Sequence, residues 1–275
     1  MLGWFLLLAL LAPVDAPAGR RVELKELGAT LFVPDGYKAG AGDVVDVILH
    51  LHGSGSVVEP ALVESGLDAV LIEFNRKGLS SVYTAPFSDP SLFPKLLDVT
   101  LSTLKSEKLV SAPKLGRVVV SSFSAGFGGV RALLKDPASF HRIDGLIMAD
   151  SIYCGYTGDP AKHMVDTALM EGFRKFAAEA AEGRKTFLLT HSAQIPEGYA
   201  STTETADFLI KSLGNGGPGP TRDWGTGFTA ARSYKNGKFV VFGFGGEGPN
   251  DHMIHLRQIR RFWKLYSEVS KSTIH

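Results

Sequence analysis

Residues 117–131, RVVVSSFSAGFGGVR, place a serine in a setting suited to nucleophilic chemistry. A β-branched apolar run leads through a turn of small residues into a glycine-rich helix. Ser124 has Ser122 and Gly126 two positions to either side, and a sharp strand-to-helix turn needs small side chains there. Ser122 is the competing nucleophile, but the β-branched Val120 precedes it by two residues. The spacing therefore predicts Ser124 as the nucleophile of a covalent acyl transfer.

An earlier segment supplies a second part of such a site. Residues 47–56 read VILHLHGSGS, an apolar run that ends in His-Gly. With the turn around Ser124, it resembles the α/β-hydrolase family, whose nucleophile lies in a strained turn and whose third strand leads into an oxyanion-hole loop. The resemblance implies that a backbone N–H of Gly53 or Ser54 pairs with that of Ala125 around a tetrahedral intermediate.

The two histidines of that segment have other possible roles. The side chains of His50 and His52 could brace the loop through hydrogen bonds, and we favour this role for His50. An HxH pair is also a zinc-binding pattern, but no cluster of Asp, Glu or His adjoins it in the sequence. The chain departs from the family pattern at Ser122, where glycine is most common, although serine is small enough for the turn.

The base and the acid are expected later in the chain. The family carries its catalytic histidine after the last core strand, and residues 243–256, GFGGEGPNDHMIHL, place His252 in a loop before the last helix. His255, one turn further, is the alternative and is expected to pack or to support the base. Asp150 ends an apolar strand at the edge of the sheet where sites gather, and it is the preferred acid. Glu197 is the alternative acid, because the family most often places this residue after the seventh strand.

The elements that must position these residues alternate along the chain. Near-continuous apolar runs predict strands covered on both faces, and helix-length segments lie between them. This alternation predicts an α/β-hydrolase fold, with a mostly parallel central sheet, helices on both faces and a small lid or none. The predicted strands are 44–51, 69–74, 117–122, 145–149, 186–190 and 239–244, and the predicted helices are 92–104, 126–134, 163–181, 203–213 and 252–269.

Both ends of the sheet are predicted to be antiparallel. Residues 22–27 and 30–33 are strand-like and are separated only by Gly-Ala. Residues 229–234 and 238–244 flank Lys-Asn-Gly, and Asn-Gly between two strands is a strong hairpin signal. The Gly- and Pro-rich residues 214–226 predict a surface loop.

The N-terminal run MLGWFLLLALLA is too short to span a bilayer, and a small-x-small pattern follows it. We predict a signal peptide over residues 1–18, cut after Ala18, and one domain over residues 19–275. The competing interpretation is an uncleaved membrane anchor, because the first residues contain no Lys or Arg. A cleaved signal peptide predicts a secreted or periplasmic protein without stable membrane association.

Composition narrows the function classes. The chain has 275 residues, 44% of them apolar and 21% charged, with a net charge of +1. This balance offers no electrostatic footprint for nucleic acid or an anionic membrane. No phosphate loop, metal site or cofactor motif is present, so no cofactor is expected. Cys154 is the only cysteine, which excludes an intrachain disulfide and favours a packing role.

The expected reaction is hydrolysis of a small-molecule or glycan-linked carboxylic ester, since an alcohol leaves more easily than an amine. His52, Asn75, Arg76 and Tyr153 lie near predicted strand ends and are the expected substrate contacts. A peptidase or amidase on the same fold is one alternative. A non-catalytic binding protein is another, which the intact nucleophile, oxyanion loop and base argue against.

Overall fold

A computed structural model describes residues 18–272, apart from 215, 223 and 226. The predicted signal peptide therefore lies outside the described residues, except for Ala18. Among the described residues, no helix combines the length and the apolar character needed to cross a bilayer.

The described chain forms one mixed sheet of ten strands in the order β1-β2-β4-β3-β5-β6-β7-β10-β9-β8. The six central strands, from β4 to β10, are parallel, and the strands at both edges are antiparallel. The strands are β1 Gly19–Leu24, β2 Ala29–Pro34, β3 Val44–Leu51, β4 Val70–Phe74, β5 Lys114–Phe123, β6 Gly145–Ala149, β7 Thr186–His191, β8 Gly217–Pro218, β9 Ala230–Asn236 and β10 Phe239–Phe244.

The central strands are apolar throughout because helices cover both faces. Val47 and Leu49 of β3 belong to the core on one side of the sheet, and Ile48 belongs to the core on the other. Successive side chains of a strand point to opposite faces, so a strand covered twice loses the polar half of its pattern. This confirms the predicted α/β class.

Nine α-helices are described, and they divide between the two faces. Helices α1, α8 and α9 pack in the core that contains Ile48, and α2 to α7 cover the opposite face. Their bounds are α1 Gly55–Ser65, α2 Ser81–Phe87, α3 Leu92–Ser106, α4 Phe127–Lys135, α5 Pro137–Arg142, α6 Thr167–Ala181, α7 Thr202–Leu213, α8 Pro249–Arg257 and α9 Ile259–Lys271.

Three helical predictions differ from the structure. The single helix predicted over 252–269 is two helices that meet at Gln258, and α8 already begins at Pro249. The helix predicted from His163 begins at Thr167, because the Asp166 carboxylate accepts hydrogen bonds from the N–H groups of Ala168 and Leu169. Helices α1, α2 and α5 were not predicted at all.

The antiparallel edges follow the prediction with shifted bounds. β1 ends at Leu24, and residues 25–27 form a 3₁₀ turn that Gly28 closes with a φ of +60°. The β9–β10 hairpin turns at Gly237, whose φ of +57° suits a residue without a side chain. Only α6 and a 3₁₀ turn lie between β6 and β7, so the lid at this position is small.

Candidate active site

Ser124 lies where β5 gives way to α4. A 3₁₀ turn over Ser124–Gly126 joins the two elements, and Ser124 itself has a φ of +46°. A serine in this left-handed region stores strain of about 1–3 kcal/mol, which surrounding contacts must hold in place. A Cβ on Gly126 would come within 2.4 Å of the Leu51 carbonyl oxygen and 2.7 Å of Ser122 Oγ. The turn therefore requires glycine at 126.

Ser122, the competing nucleophile, is fully buried at the end of β5. Its Oγ lies 2.6 Å from the Oγ of Ser151, which donates a hydrogen bond of 2.8 Å to the carbonyl oxygen of Ser124. Ser122 therefore has a bracing contact beneath the turn and no access to a substrate.

His252 is within hydrogen-bond distance of Ser124, the predicted nucleophile. Its Nε2 lies 2.8 Å from Ser124 Oγ, and its ring stacks on Phe123 with centroids 4.6 Å apart. His252 lies in the first turn of α8 and not in the predicted loop, because the helix begins three residues earlier. The side chain is 16% exposed, which leaves the ring a face toward solvent.

Asp150 completes the hydrogen-bonded chain. It follows β6 directly, with a φ of +46°, and its Oδ2 lies 2.7 Å from His252 Nδ1. Its Oδ1 accepts hydrogen bonds from the N–H of Ser192, at 2.9 Å, and from the hydroxyl of Thr202. Burial acts to raise the pKa of Asp150, but the hydrogen bond from His252 and the neighbouring imidazoles hold it below its usual range. The carboxylate is therefore ionised at neutral pH.

The remaining histidines near the site have structural contacts. His255 is fully buried, its Nδ1 lies 2.8 Å from Thr190 Oγ1, and burial lowers its pKa to about 4. His50 lies 3.0 Å from Ser121 Oγ, and burial lowers its pKa to about 3. Both rings are neutral at pH 7 and suit support or packing. His52 lies 2.8 Å from the Tyr83 hydroxyl and stacks on Phe123 at 5.9 Å.

A cleft of about 440 Å³ opens at Ser124 and His252. A larger depression of about 580 Å³ lies by Val44 and Arg117, but it contains none of the hydrogen-bonded trio. Of these two cavities, only the cleft is lined by Ser124 and His252, so it is the candidate site. It is lined by Leu79, Ser80, Ser124, Ala125, Phe127, Arg131, Tyr153, Cys154, Gly155, Gln194, Tyr199 and His252.

Of the three predicted oxyanion residues, only Ala125 lines the cleft. Ala125 lines the cleft at the start of a helical turn, where backbone N–H groups have no partner within the helix. Gly53 is buried in the loop between β3 and α1, and Ser54 is exposed as the N-cap of α1. Among the described residues, neither of these two lines the cleft.

The predicted substrate contacts are corrected in part. Tyr153 lines the cleft, whereas Asn75 lines a separate depression with Glu73 and the guanidinium of Arg76 packs 4.7 Å from the centre of the Phe74 ring. Both miss the cleft because β4 lies two strands from β5, a displacement of about 10 Å in the sheet.

Glu197, the alternative acid, is exposed in the loop after β7. His252 Nδ1 already lies 2.7 Å from Asp150 Oδ2. The loop after β7 contributes the backbone N–H of Ser192, which binds Asp150, and not the carboxylate of Glu197.

Sequence reasoning missed several residues of the cleft. Gln194 comes from the loop after β7, and Leu79 comes from the loop before α2. Arg131 carried the one available signal, because its charge interrupts the apolar face of α4 at 127–135. Cys154 lines the cleft, and burial raises the pKa of its thiol to about 11, so it is a poor nucleophile at neutral pH. Within the described residues, no group of three His, Cys, Asp or Glu could hold a metal ion.

Comparison with known proteins places the fold. No protein-family model matches the chain. No curated protein sequence is similar to it at a significant level. A structure of an uncharacterised protein from Capnocytophaga ochracea is 10% identical, with a TM-score of 0.52 over 92% of this chain and 64% of that protein. The chain thus spans slightly less than two thirds of that protein's length.

Two solved esterases are also similar to the chain. A carboxylesterase from Bacillus subtilis is 11% identical with a TM-score of 0.45, and the alignment covers 95% of this chain and 94% of the esterase chain. A thermophilic esterase from Thermogutta terrifontis is 12% identical with a TM-score of 0.47, covering 93% and 94%. The chain has the α/β-hydrolase fold, as the sequence resemblance predicted.

Proposed function

We propose that the chain is a serine hydrolase that cleaves carboxylic esters through Ser124, His252 and Asp150. The observation that supports this proposal is one continuous hydrogen-bonded chain that ends at a cleft. Ser124 Oγ, the two nitrogens of His252 and Asp150 Oδ2 are linked by contacts of 2.8 and 2.7 Å. A nucleophile next to a base that is itself oriented by a carboxylate is the arrangement that acyl transfer needs.

Acylation follows from the positions of these atoms. Ser124 Oγ attacks the carbonyl carbon of the ester while His252 Nε2 takes its proton. Asp150 accepts the Nδ1–H, which fixes the tautomer whose Nε2 is free to accept, and its charge stabilises the imidazolium that forms. His252 then returns the proton to the departing alcohol, and the acyl group remains on Ser124. Water, activated by His252, releases the acid and restores the serine.

The oxyanion of the tetrahedral intermediate needs preorganised N–H donors. Ala125 offers one, because its backbone begins the helical turn at the floor of the cleft. The second donor is expected from the loop that contains Gly53 and Ser54, as the family resemblance implies. His52 of that loop stacks on Phe123, and Phe123 also stacks on His252. A single aromatic ring therefore lies between the loop and the proposed base.

The shape of the cleft favours small esters. Its volume of about 440 Å³ is in the range of small-molecule sites. Tyr199 and Leu79 at its mouth are 44% and 81% exposed, and they offer apolar contact to a leaving group. We propose a small-molecule or glycan-linked ester as the substrate.

Export through the predicted signal peptide is part of the same proposal. N-terminal sequencing of the protein recovered outside the cytoplasm is expected to begin at Gly19. An intact N-terminus in a membrane fraction would support the anchor instead.

Hydrolysis assays test the proposed activity. Purified protein is expected to cleave 4-nitrophenyl acetate and butyrate, and Ser124→Ala and His252→Ala are each expected to lose at least about 10³-fold in kcat. Ser122→Ala is the matched control, because this buried serine lies two residues away and is expected to keep the activity. Cleavage of peptide amides in preference to esters would support the peptidase alternative. Equal ester hydrolysis by wild type and Ser124→Ala would overturn the proposal.

A further inference from the structure

Arg131 brings a positive charge into the cleft that the proposed mechanism does not use. It lies in α4, seven residues after Ser124, and lines the same cleft as Ser124 and His252. Helix α4 begins directly after the turn that holds Ser124, and helical side chains lean toward the N-terminus of their helix, so the guanidinium leans toward the end of α4 that adjoins Ser124.

The neighbours of Arg131 fix the position of the guanidinium but do not neutralise its charge. Its Cζ lies 4.8 Å from the centre of the Phe127 ring, and one Nη donates a hydrogen bond to the carbonyl oxygen of Tyr153. Its Nε is buried and has no hydrogen-bond partner among the described residues. A planar guanidinium fixed in this way has donors left for a ligand.

No carboxylate of the described residues pairs with Arg131, although nine other arginines of the described chain form ion pairs. The carboxylate of Asp166, which caps α6, favours the charge of Arg131 electrostatically but forms no ion pair with it. Cys154 does not compensate either, because its raised pKa keeps the thiol neutral at pH 7. A partly buried cation without a counter-charge is costly unless a ligand supplies one.

We propose that the ester substrate carries a carboxylate, and that this carboxylate binds the guanidinium of Arg131 while the ester carbonyl lies at Ser124. This inference rests on the proposed esterase function and specifies its substrate class. Because Ser124 and Arg131 line one cleft of about 440 Å³, the carboxylate is expected a few bonds from the carbonyl carbon. The charge is on the acyl arm or on the alcohol arm, and the two cases need different probes.

Matched pairs of esters provide the test. For the acyl arm, the 4-nitrophenyl hemi-ester of glutaric acid is compared with 4-nitrophenyl valerate. For the alcohol arm, 4-carboxyphenyl acetate is compared with 4-carbamoylphenyl acetate. The measured quantity is the ratio of kcat/KM for the charged ester to kcat/KM for its neutral partner. In wild type this ratio is expected to exceed one for at least one pair, and in Arg131→Gln to fall by about 10- to 100-fold, the effect of a lost charged hydrogen bond.

Two variants and a salt series separate binding from structure. Arg131→Lys keeps the positive charge but loses the paired N–H donors of the guanidinium. It is expected to retain part of the preference for the charged ester. Arg174→Gln is the matched control on α6, because Arg174 is paired with Glu171 on the surface, and its ratio is expected to equal that of wild type. If Arg131→Gln does not fold, the wild-type ratio itself is expected to fall as ionic strength rises.

The inference fails if neither charged ester is preferred, if the preference survives in Arg131→Gln, or if the wild-type ratio is independent of salt. The neutral esters report on the proposed function separately. If they are cleaved without any charge preference, only the inference about Arg131 fails. If no ester of either kind is cleaved, the proposed function fails with it.

Discussion

Replacing Asp150 by Asn tests how the acid controls the base. The Oδ1 position of Asp150 receives two donors, the Ser192 N–H at 2.9 Å and the Thr202 hydroxyl, while Oδ2 faces His252 Nδ1 at 2.7 Å. The single oxygen of an asparagine amide is therefore expected at the Oδ1 position. Its NH₂ group then faces Nδ1, which must accept, so the imidazole proton moves to Nε2 and points at Ser124.

The magnitude follows from two losses. Turning the amide back would set its NH₂ against the Ser192 N–H, and an unsatisfied buried donor costs about 1–3 kcal/mol. The carboxylate charge opposite the imidazolium is also lost, and a pair at about 4 Å with an effective dielectric of about 20 is worth about 4 kcal/mol. Together these correspond to a fall in kcat of about 10⁴-fold, the order known for serine triads.

The assay is steady-state hydrolysis of 4-nitrophenyl acetate, in which kcat is expected to fall while KM changes little. Asp136→Asn is the matched control, because Asp136 accepts a hydrogen bond of 2.8 Å from the Ser139 N–H at the start of α5 and asparagine caps a helix equally well. A fall of less than about 10-fold in Asp150→Asn, with folding unchanged, would refute this account of the acid.

Three further predictions concern the surroundings of the site. Gly126→Ala is expected to lower the free energy of unfolding by about 1–3 kcal/mol, measured by urea denaturation, because its Cβ would lie 2.4 Å from the Leu51 carbonyl oxygen. Thr202→Val removes a donor to the buried Asp150 and is expected to cost about 1–3 kcal/mol of stability in the same assay; an unchanged midpoint would show that this hydroxyl is not needed. Burial and the adjacent Glu59 raise the pKa of Glu73, so the stability from its bound proton is complete below the unfolded pKa of about 4.3 and is lost as pH rises toward the folded pKa. Glu73→Gln is expected to gain stability relative to wild type as pH is raised above about 5, and a constant difference across pH would contradict the assignment.

The sequence predicted the strand-to-helix turn at Ser124 because its determinants are local. Small residues at 122 and 126, a β-branched strand before them and glycines after them are contiguous, and a short window is enough to identify the turn. Asp150 and Glu197 illustrate the limit of that approach. Each follows an apolar strand, and the choice depends on which strand end lies beside His252, which the sheet order decides.

Elements without a clean pattern were missed for physical reasons. Helix α1 begins in a Gly-Ser sequence and contains Pro60, so its helical periodicity is weak. The break at Gln258 has no Gly or Pro to mark it, and apolar residues of α8 and α9 on either side of it pack in the same core. Arg131 and Gln194 come together only because a helix and a distant loop share the cleft.

Fluorophosphonate labelling followed by peptide mass spectrometry tests the central claim most directly. A serine activated by His252 displaces fluoride from the probe and forms a phosphonyl ester. The account predicts about one probe per chain, attached at Ser124, with no labelling of Ser124→Ala and full labelling of the matched Ser122→Ala. An unlabelled wild-type protein, or probe on Ser124→Ala at the wild-type level, would contradict it.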